Sequence, residues 1–110
     1  MKEKTISTEV PPVAAMVENI VGCKWSVAVL GLVQKGVHRP GAMEHAIEGL
    51  TAKVLNERLR KLVRYGILDK TSYAEVPPRV EYRLTPFGQR FAAILDQIEV
   101  LQDQLNRERP

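Results

Sequence analysis

The sequence predicts a mainly α domain with one small β-hairpin. Two observations carry this. Apolar residues recur at intervals of three and four in five segments between Val13 and Leu105, the spacing of helices with one buried face. Between Ile67 and Leu84 the spacing changes to alternation, the period of a half-buried strand. Composition agrees. A chain of 110 residues, 45% hydrophobic and 26% charged, is too apolar for disorder and too short for two ordinary domains.

Residues 1–12 are polar and end in Pro11-Pro12, which predicts an arm that stiffens before the first helix. Val13, Met16, Val17, Ile20 and Val21 form the apolar face of that helix, and Gly22 is placed to bend the chain after it. A second helix is expected over residues 24–34. Trp25, Ala28, Val29 and Leu32 share one face, while Val27, Leu30 and Val33 make the other side apolar, so this helix is expected to be central. Lys35-Gly36 suits its end. His38-Arg39-Pro40-Gly41 predicts a turn or helix start, and Ala42, Met43, Ala46 and Ile47 a short helix closed by Gly49. Thr51 is the expected N-cap of the next helix, which runs to Arg64. That helix turns Leu55, Leu59, Leu62 and Val63 inward and Lys53, Asn56, Glu57, Arg60 and Arg64 outward. Residues 67–74 and 79–84 predict two strands, with Glu75-Val76-Pro77-Pro78 as the loop where prolines are tolerated. Thr85 as N-cap and Pro86 at the first helical position open the last helix, expected to reach Arg107. Its Phe91, Ile94, Ile98, Leu101 and Leu105 form a heptad seam, too short to stand alone as a coiled coil. The domain is thus expected over residues 13–107, between an arm at 1–12 and a tail at 108–110.

Several function classes are excluded at this level. A lone Cys23 cannot form an internal disulfide. No apolar run approaches the roughly 18–20 residues of a membrane span, and Met1-Lys2-Glu3-Lys4 does not open a signal peptide, so a cytoplasmic protein with no membrane partner is expected. There is no glycine-rich phosphate loop and no Ser/His/Asp set, so no enzyme and no cofactor are expected. His38, His45 and Cys23 lack ligand spacing, so no metal site is expected.

The net charge of +3 is unevenly spread. Residues 1–50 balance, residues 51–70 carry +4, residues 71–78 carry −1, residues 79–90 carry +2, and residues 91–110 carry −2. The short helix and its successor, joined by Glu48-Gly49-Leu50, match a helix-turn-helix, and the hairpin that follows makes it winged. A helix of this kind enters the major groove of double-stranded DNA and presents its outward N-terminal residues to base edges. Those residues are Thr51, Ala52, Lys53, Asn56, Glu57 and Arg60. Asn suits adenine, Arg guanine, and Glu the amino group of cytosine. Arg58, Lys61 and Arg64 lie where phosphate contact is expected, and Arg79 is placed to carry the wing to a groove or to the backbone.

Three stretches resemble the HxlR-type branch of the winged helix-turn-helix regulators, related to the MarR-like proteins. They are Val21-Gly22-Cys23-Lys24-Trp25, residues 51–62, and residues 75–88, the last a very specific match. The resemblance runs from about Pro11 to Leu105. It implies a homodimer on a pseudo-palindromic operator, joined through its N- and C-terminal helices. The interface expected from it comprises Val13, Met16, Val17, Ile20, Phe91, Ile94, Ile98, Leu101 and Leu105. Many members of that branch carry a cysteine immediately before the Pro-Val that opens the first helix, and some sense oxidants with it. Here Pro11 stands at that position, so this usual sensor is absent.

Cys23 is the remaining candidate redox sensor, set against a packing role in a helix-entry turn. Trp25 is read as a core or subunit-contact anchor rather than a stacking platform, Tyr82 as packing the wing, and His45 as exposed. The leading function is a dimeric, sequence-specific transcription regulator. The alternatives are a winged-helix protein-interaction module without DNA binding, and a thiol- or small-molecule-responsive switch added to the first. A chain of this length is expected to leave no separate ligand domain, so that any effector acts on the dimer itself.

Overall fold

A computed structural model describes residues 10–109; the first nine residues of the expected arm, and Pro110 of the expected tail, lie outside the described residues. Among the described residues, five helices and one hairpin follow the expected order: α1 Val13–Val21, α2 Lys24–Gln34, α3 Pro40–Ala46, α4 Ala52–Arg64, β1 Leu68–Tyr73, β2 Arg79–Leu84 and α5 Pro86–Glu108. The last helix ends one residue beyond the predicted boundary.

The chain bends by 102° between α1 and α2. Val29, Leu30 and Val33 of α2 are buried beneath Met16 and Ile20 of α1, Met43 of α3 and Leu55, Leu59 and Leu62 of α4, so α2 is the central helix. Trp25 is half-buried and packs against this core, with Lys24 Nζ 4.8 Å from its ring centroid. Pro40 starts α3, where its missing N–H costs nothing. Ile47 to Leu50 then turn the chain into α4, and Gly49 takes φ 87°, a left-handed conformation that side chains with a Cβ rarely adopt. Thr51 Oγ1 accepts from the Val54 N–H at 3.2 Å and caps α4.

The hairpin is antiparallel, with Leu68 opposite Leu84 at its root and Tyr73 opposite Arg79 at its outer end. Its root is fixed twice. Tyr82 is buried, and its N–H donates to the His38 carbonyl at 2.8 Å, ahead of α3. Thr85 Oγ1 donates to the Gly66 carbonyl at 2.6 Å and accepts from the Gly88 N–H at 2.8 Å, capping α5 against the end of α4. Gly88 is itself buried, its Cα directly against the Ile67 carbonyl.

Three residues expected at a subunit interface are core residues of the chain. Met16, Ile20 and Phe91 are at most 3% exposed, and Val17 is half-buried against the same cluster. The seam therefore divides. Phe91 is buried in the core beside Phe87, whereas Ile94, Ile98, Leu101 and Leu105 stay exposed along the helix, as does Val13 of α1. One helix face carries both sets because α5 outlasts the body it packs on: only Gly88, Phe91 and Ala92, all in its first two turns, are buried.

Candidate nucleic-acid interface

α4 stands on three leucines, Leu55, Leu59 and Leu62, none with measurable exposure. This fixes its rotation and forces the residues between them outward. Thr51, Ala52, Lys53, Asn56, Glu57, Arg60 and Arg64 are all exposed. Over 13 residues the helix is about 20 Å long, and its free face is a continuous polar stripe. Such a helix fits a major groove roughly 12 Å wide. The Thr51 side-chain oxygen is committed to capping the helix. Lys61 is half-exposed at the edge of the stripe. The Arg64 guanidinium lies over the Tyr65 ring, 5.7 Å from its centroid. Tyr65 in turn accepts at its hydroxyl from Asn19 Nδ2 at 3.0 Å, which ties the end of α4 to α1.

Two arginines expected to reach DNA are turned elsewhere. Arg58 folds back over the start of α2, where its Nε is buried without a partner, and its nearest carboxylate is Glu57 at 3.8 Å. There it lies beside Cys23, the residue before α2. Burial pushes the Cys23 thiol up, but the Ser26 side chain and backbone, followed by the Arg58 guanidinium, outweigh it and hold the thiol at about 7 against an ordinary 9.0. Ser26 is fully buried, and its hydroxyl has no other partner.

Arg79 is likewise engaged within the wing. Its guanidinium bridges Glu75 at 3.0 Å and Glu81 at 3.5 Å, and lies 3.9 Å from the centroid of the Tyr73 ring. Glu81 also pairs with Arg83 at 2.8 Å and accepts from the Tyr73 hydroxyl at 3.4 Å. The Arg83 hydrogen bond chiefly holds its carboxyl below the usual carboxylate range. Alternation places Glu81 on the outward face of β2, yet it is 9% exposed, because its arginine partners cover it. Sequence reasoning left Tyr73, Glu75 and Ser26 out of the site. For the wing a signal existed: Arg79, Glu81 and Arg83 stand on one face of β2 at every second residue.

A second surface lies between α2 and α5. A largely apolar cleft of about 780 Å³ separates α2 from α5, lined by Val27, Leu32, Leu95 and Ile98 among others. At its mouth Gln34 Nε2 donates to Asp96 at 3.2 Å. Exposed Ile98 lines this cleft, and Leu101 and Leu105 continue beyond it along α5. Among the described residues no three His, Cys, Asp or Glu side chains gather as a metal site. No single described helix is long and apolar enough to cross a membrane.

Comparison with known proteins bears on this geometry. The model of the HxlR-like helix-turn-helix family matches residues 20–109. An HTH-type transcriptional regulator of Synechocystis is 40% identical over 79 residues, 72% of this chain and 58% of that protein. This chain therefore matches little more than half the length of that relative. YtfH, an HTH-type transcriptional regulator of Escherichia coli, is 33% identical over 104 residues, 91% of this chain and 82% of its own. Among solved structures, a MarR-family transcriptional regulator from Enterococcus faecalis V583 superposes with a TM-score of 0.77 at 28% identity. That match covers 98% of this chain and 93% of the other.

Proposed function

The chain belongs to the HxlR-like helix-turn-helix family of transcriptional regulators, DNA-binding proteins rather than enzymes, and from that premise we propose that it acts as a homodimer on a pseudo-palindromic operator. The observation that carries the DNA contact is the exposed stripe of Lys53, Asn56, Glu57 and Arg60 on a helix whose other face is buried leucine. Arg58 and Arg79, each engaged by neighbours within the chain, narrow the contact set. Base reading falls to Lys53, Asn56, Glu57 and Arg60, with Thr51 and Ala52 at the helix entry, and phosphate contact to Lys61 and Arg64.

The exposed seam of Ile94, Ile98, Leu101 and Leu105 supports the homodimer. Apolar side chains repeated along one face of a helix that projects from its own core call for a matching surface, and a second copy supplies one by two-fold symmetry. Two recognition helices in such a dimer meet half-sites about 34 Å apart, or a multiple of it.

Selection from a random duplex pool tests this. The expected product is a two-fold repeated sequence, bound by a dimer in sedimentation, with affinity falling steeply as salt rises because phosphate neutralisation releases counterions. Selection of no duplex at low salt favours the protein-interaction reading, which the basic stripe argues against. A unique half-site bound by a monomer removes the dimer.

The contact between Cys23 and Arg58 favours one addition. Modification of this thiol disturbs a side chain of the recognition helix, so Cys23 is the candidate sensor of a thiol-responsive switch. A small-molecule effector has the cleft between α2 and α5 as its candidate seat. Mass spectrometry of Cys23 after mild oxidant, beside the DNA affinity of Cys23→Ser, tests the thiol switch. Modification without any change in affinity rules it out.

A further inference from the structure

The wing that follows the recognition helix is electrically neutral. Over residues 68–84 it holds Lys70, Arg79 and Arg83 against Asp69, Glu75 and Glu81. Arg79 is the hub of this balance. It stands at the last rung of the hairpin, opposite Tyr73, where it bridges two carboxylates and covers an aromatic face. Its Nε is buried without a partner, and only 29% of its side chain is exposed. A guanidinium held on three sides has little left to give a phosphate.

Beyond this clamp lies a tip of opposite character. Val76 is fully exposed, and Pro77 and Pro78 are exposed beside it. The two prolines carry no N–H, so the tip is apolar and poor in hydrogen-bond donors. The clamp spans it, because Glu75 precedes the tip, Arg79 follows it, and they pair at 3.0 Å. The hairpin root is tied to the helix-turn-helix on both sides, through the His38 carbonyl and the end of α4. The tip is thereby presented at a set distance from α4. A donor-poor apolar edge suits the minor groove, whose floor admits apolar wedges such as proline between base steps.

We propose that the wing meets the operator with its uncharged tip, Val76-Pro77-Pro78, in the minor groove, and that Arg79 is a positioning residue that holds this tip and neutralises no phosphate. The proposal rests on the DNA-binding reading above.

The test compares wild type with Arg79→Gln, Arg79→Lys and Val76→Glu, using Arg60→Ala as a recognition-helix control. The probe is a duplex selected by the wild-type protein from a random pool. Affinity is measured by fluorescence anisotropy across a salt series, and contacts by hydroxyl-radical footprinting, which reads the minor groove. Arg79→Gln and Arg79→Lys are both expected to bind roughly tenfold more weakly, the scale of one misread base pair. The salt slope is expected to stay unchanged, and protection flanking each half-site to vanish while central protection remains. Lysine keeps the charge but not the fork or the stack, so it does not rescue. Val76→Glu alters only a fully exposed side chain and is expected to lose the same flanking protection.

A slope that falls by about 0.9 in Arg79→Gln, with rescue by lysine, makes Arg79 a phosphate contact and overturns the proposal. Wild-type affinity and footprint in either Arg79→Gln or Val76→Glu overturn it as well. A wild-type protein that selects no duplex overturns the DNA-binding reading itself, and the wing proposal falls with it.

Discussion

Replacing Gly88 with alanine sets two expectations against each other. The residue lies in the first turn of α5, where alanine is the better helix former by about 1 kcal/mol. Geometry opposes this. A Cβ there would overlap the Ile67 carbonyl oxygen and lie 2.9 Å from its carbonyl carbon and 3.2 Å from Leu84 Cδ2. Carbon pairs prefer roughly 3.5–4.0 Å, so the carbonyl carbon alone requires the start of α5 to withdraw by about 0.6–1 Å, and the overlapped oxygen requires more. The Leu84 methyl ends a side chain and can turn aside, but the Ile67 carbonyl is backbone and cannot. That withdrawal stretches the Thr85 N–H bond to the Ile67 carbonyl, now 3.0 Å, and the Thr85 hydroxyl bond to Gly66, now 2.6 Å. Overpacking of this kind costs about 1–3 kcal/mol, and each weakened hydrogen bond about 0.5–1.5 kcal/mol. Less the propensity gain, Gly88→Ala is expected to destabilise the fold by about 1–5 kcal/mol. Urea unfolding followed by circular dichroism measures this from the midpoint at an unchanged slope. In a domain of this size the melting temperature should fall by about 4–8 °C per kcal/mol. A variant as stable as wild type, or more stable, refutes the close-approach argument and leaves helix propensity as the deciding effect.

Arg60→Ala is expected to weaken binding to a selected operator by about 1–3 kcal/mol and to relax preference at one base position, with unchanged affinity and preference removing Arg60 from the reading set. Leu101→Glu, on a side chain 66% exposed, should leave the melting curve of the dilute chain intact while sedimentation shows the dimer lost; a persistent dimer places the interface elsewhere. Leu59→Ala, at a site with no exposure, is expected to cost about 2–5 kcal/mol by denaturant titration, and a loss under 1 kcal/mol would contradict the packing described under α4. Alkylation of Cys23 should rise with pH around a midpoint near 7, and Arg58→Ala should move that midpoint upward. Its sign for stability follows: between about 7 and 9 the unfolded thiol holds a proton that the folded one has released, so folding becomes more favourable as pH rises through that window. An alkylation midpoint at the ordinary value of 9.0 refutes the contact with Ser26 and Arg58.

Features governed by neighbouring residues were legible in the sequence. The caps at Thr51 and Thr85, the Pro86 start and both strands were all expected, because each depends on a few adjacent side chains. The partition of the α5 seam was not. Phe91 and Ile94 differ by less than one turn and look alike in the pattern, but only Phe91 reaches the core, a matter of tertiary packing. The need for glycine at 88 was equally hidden, since its reason is the carbonyl of Ile67, 21 positions earlier. Within the candidate site the outward stripe of α4 was predictable from helical period. The fates of Arg58 and Arg79 were not, because flexible side chains settle on partners set by the fold: the start of α2 for one, and Tyr73, Glu75 and Glu81 for the other. The +2 counted over residues 79–90 includes Arg90 of α5, and the hairpin itself is neutral.

The length of α5 has a mechanical consequence. At 23 residues it is about 35 Å long, and the residues it buries in the DNA-facing body all lie in its first two turns, with Leu95 and the Gln34–Asp96 hydrogen bond just beyond them. It is a lever arm. The hairpin and the helix-turn-helix are bonded into one solid piece through Tyr82 and Thr85 and swing with it. A tilt of ~5° at the far end moves the near end by ~3 Å over that length. In a dimer joined along this arm, the same tilt on both sides changes the separation of the recognition helices by an appreciable part of one base-pair step or more. Regulation then needs no rearrangement inside either reading head, only a small change of angle where the two arms cross.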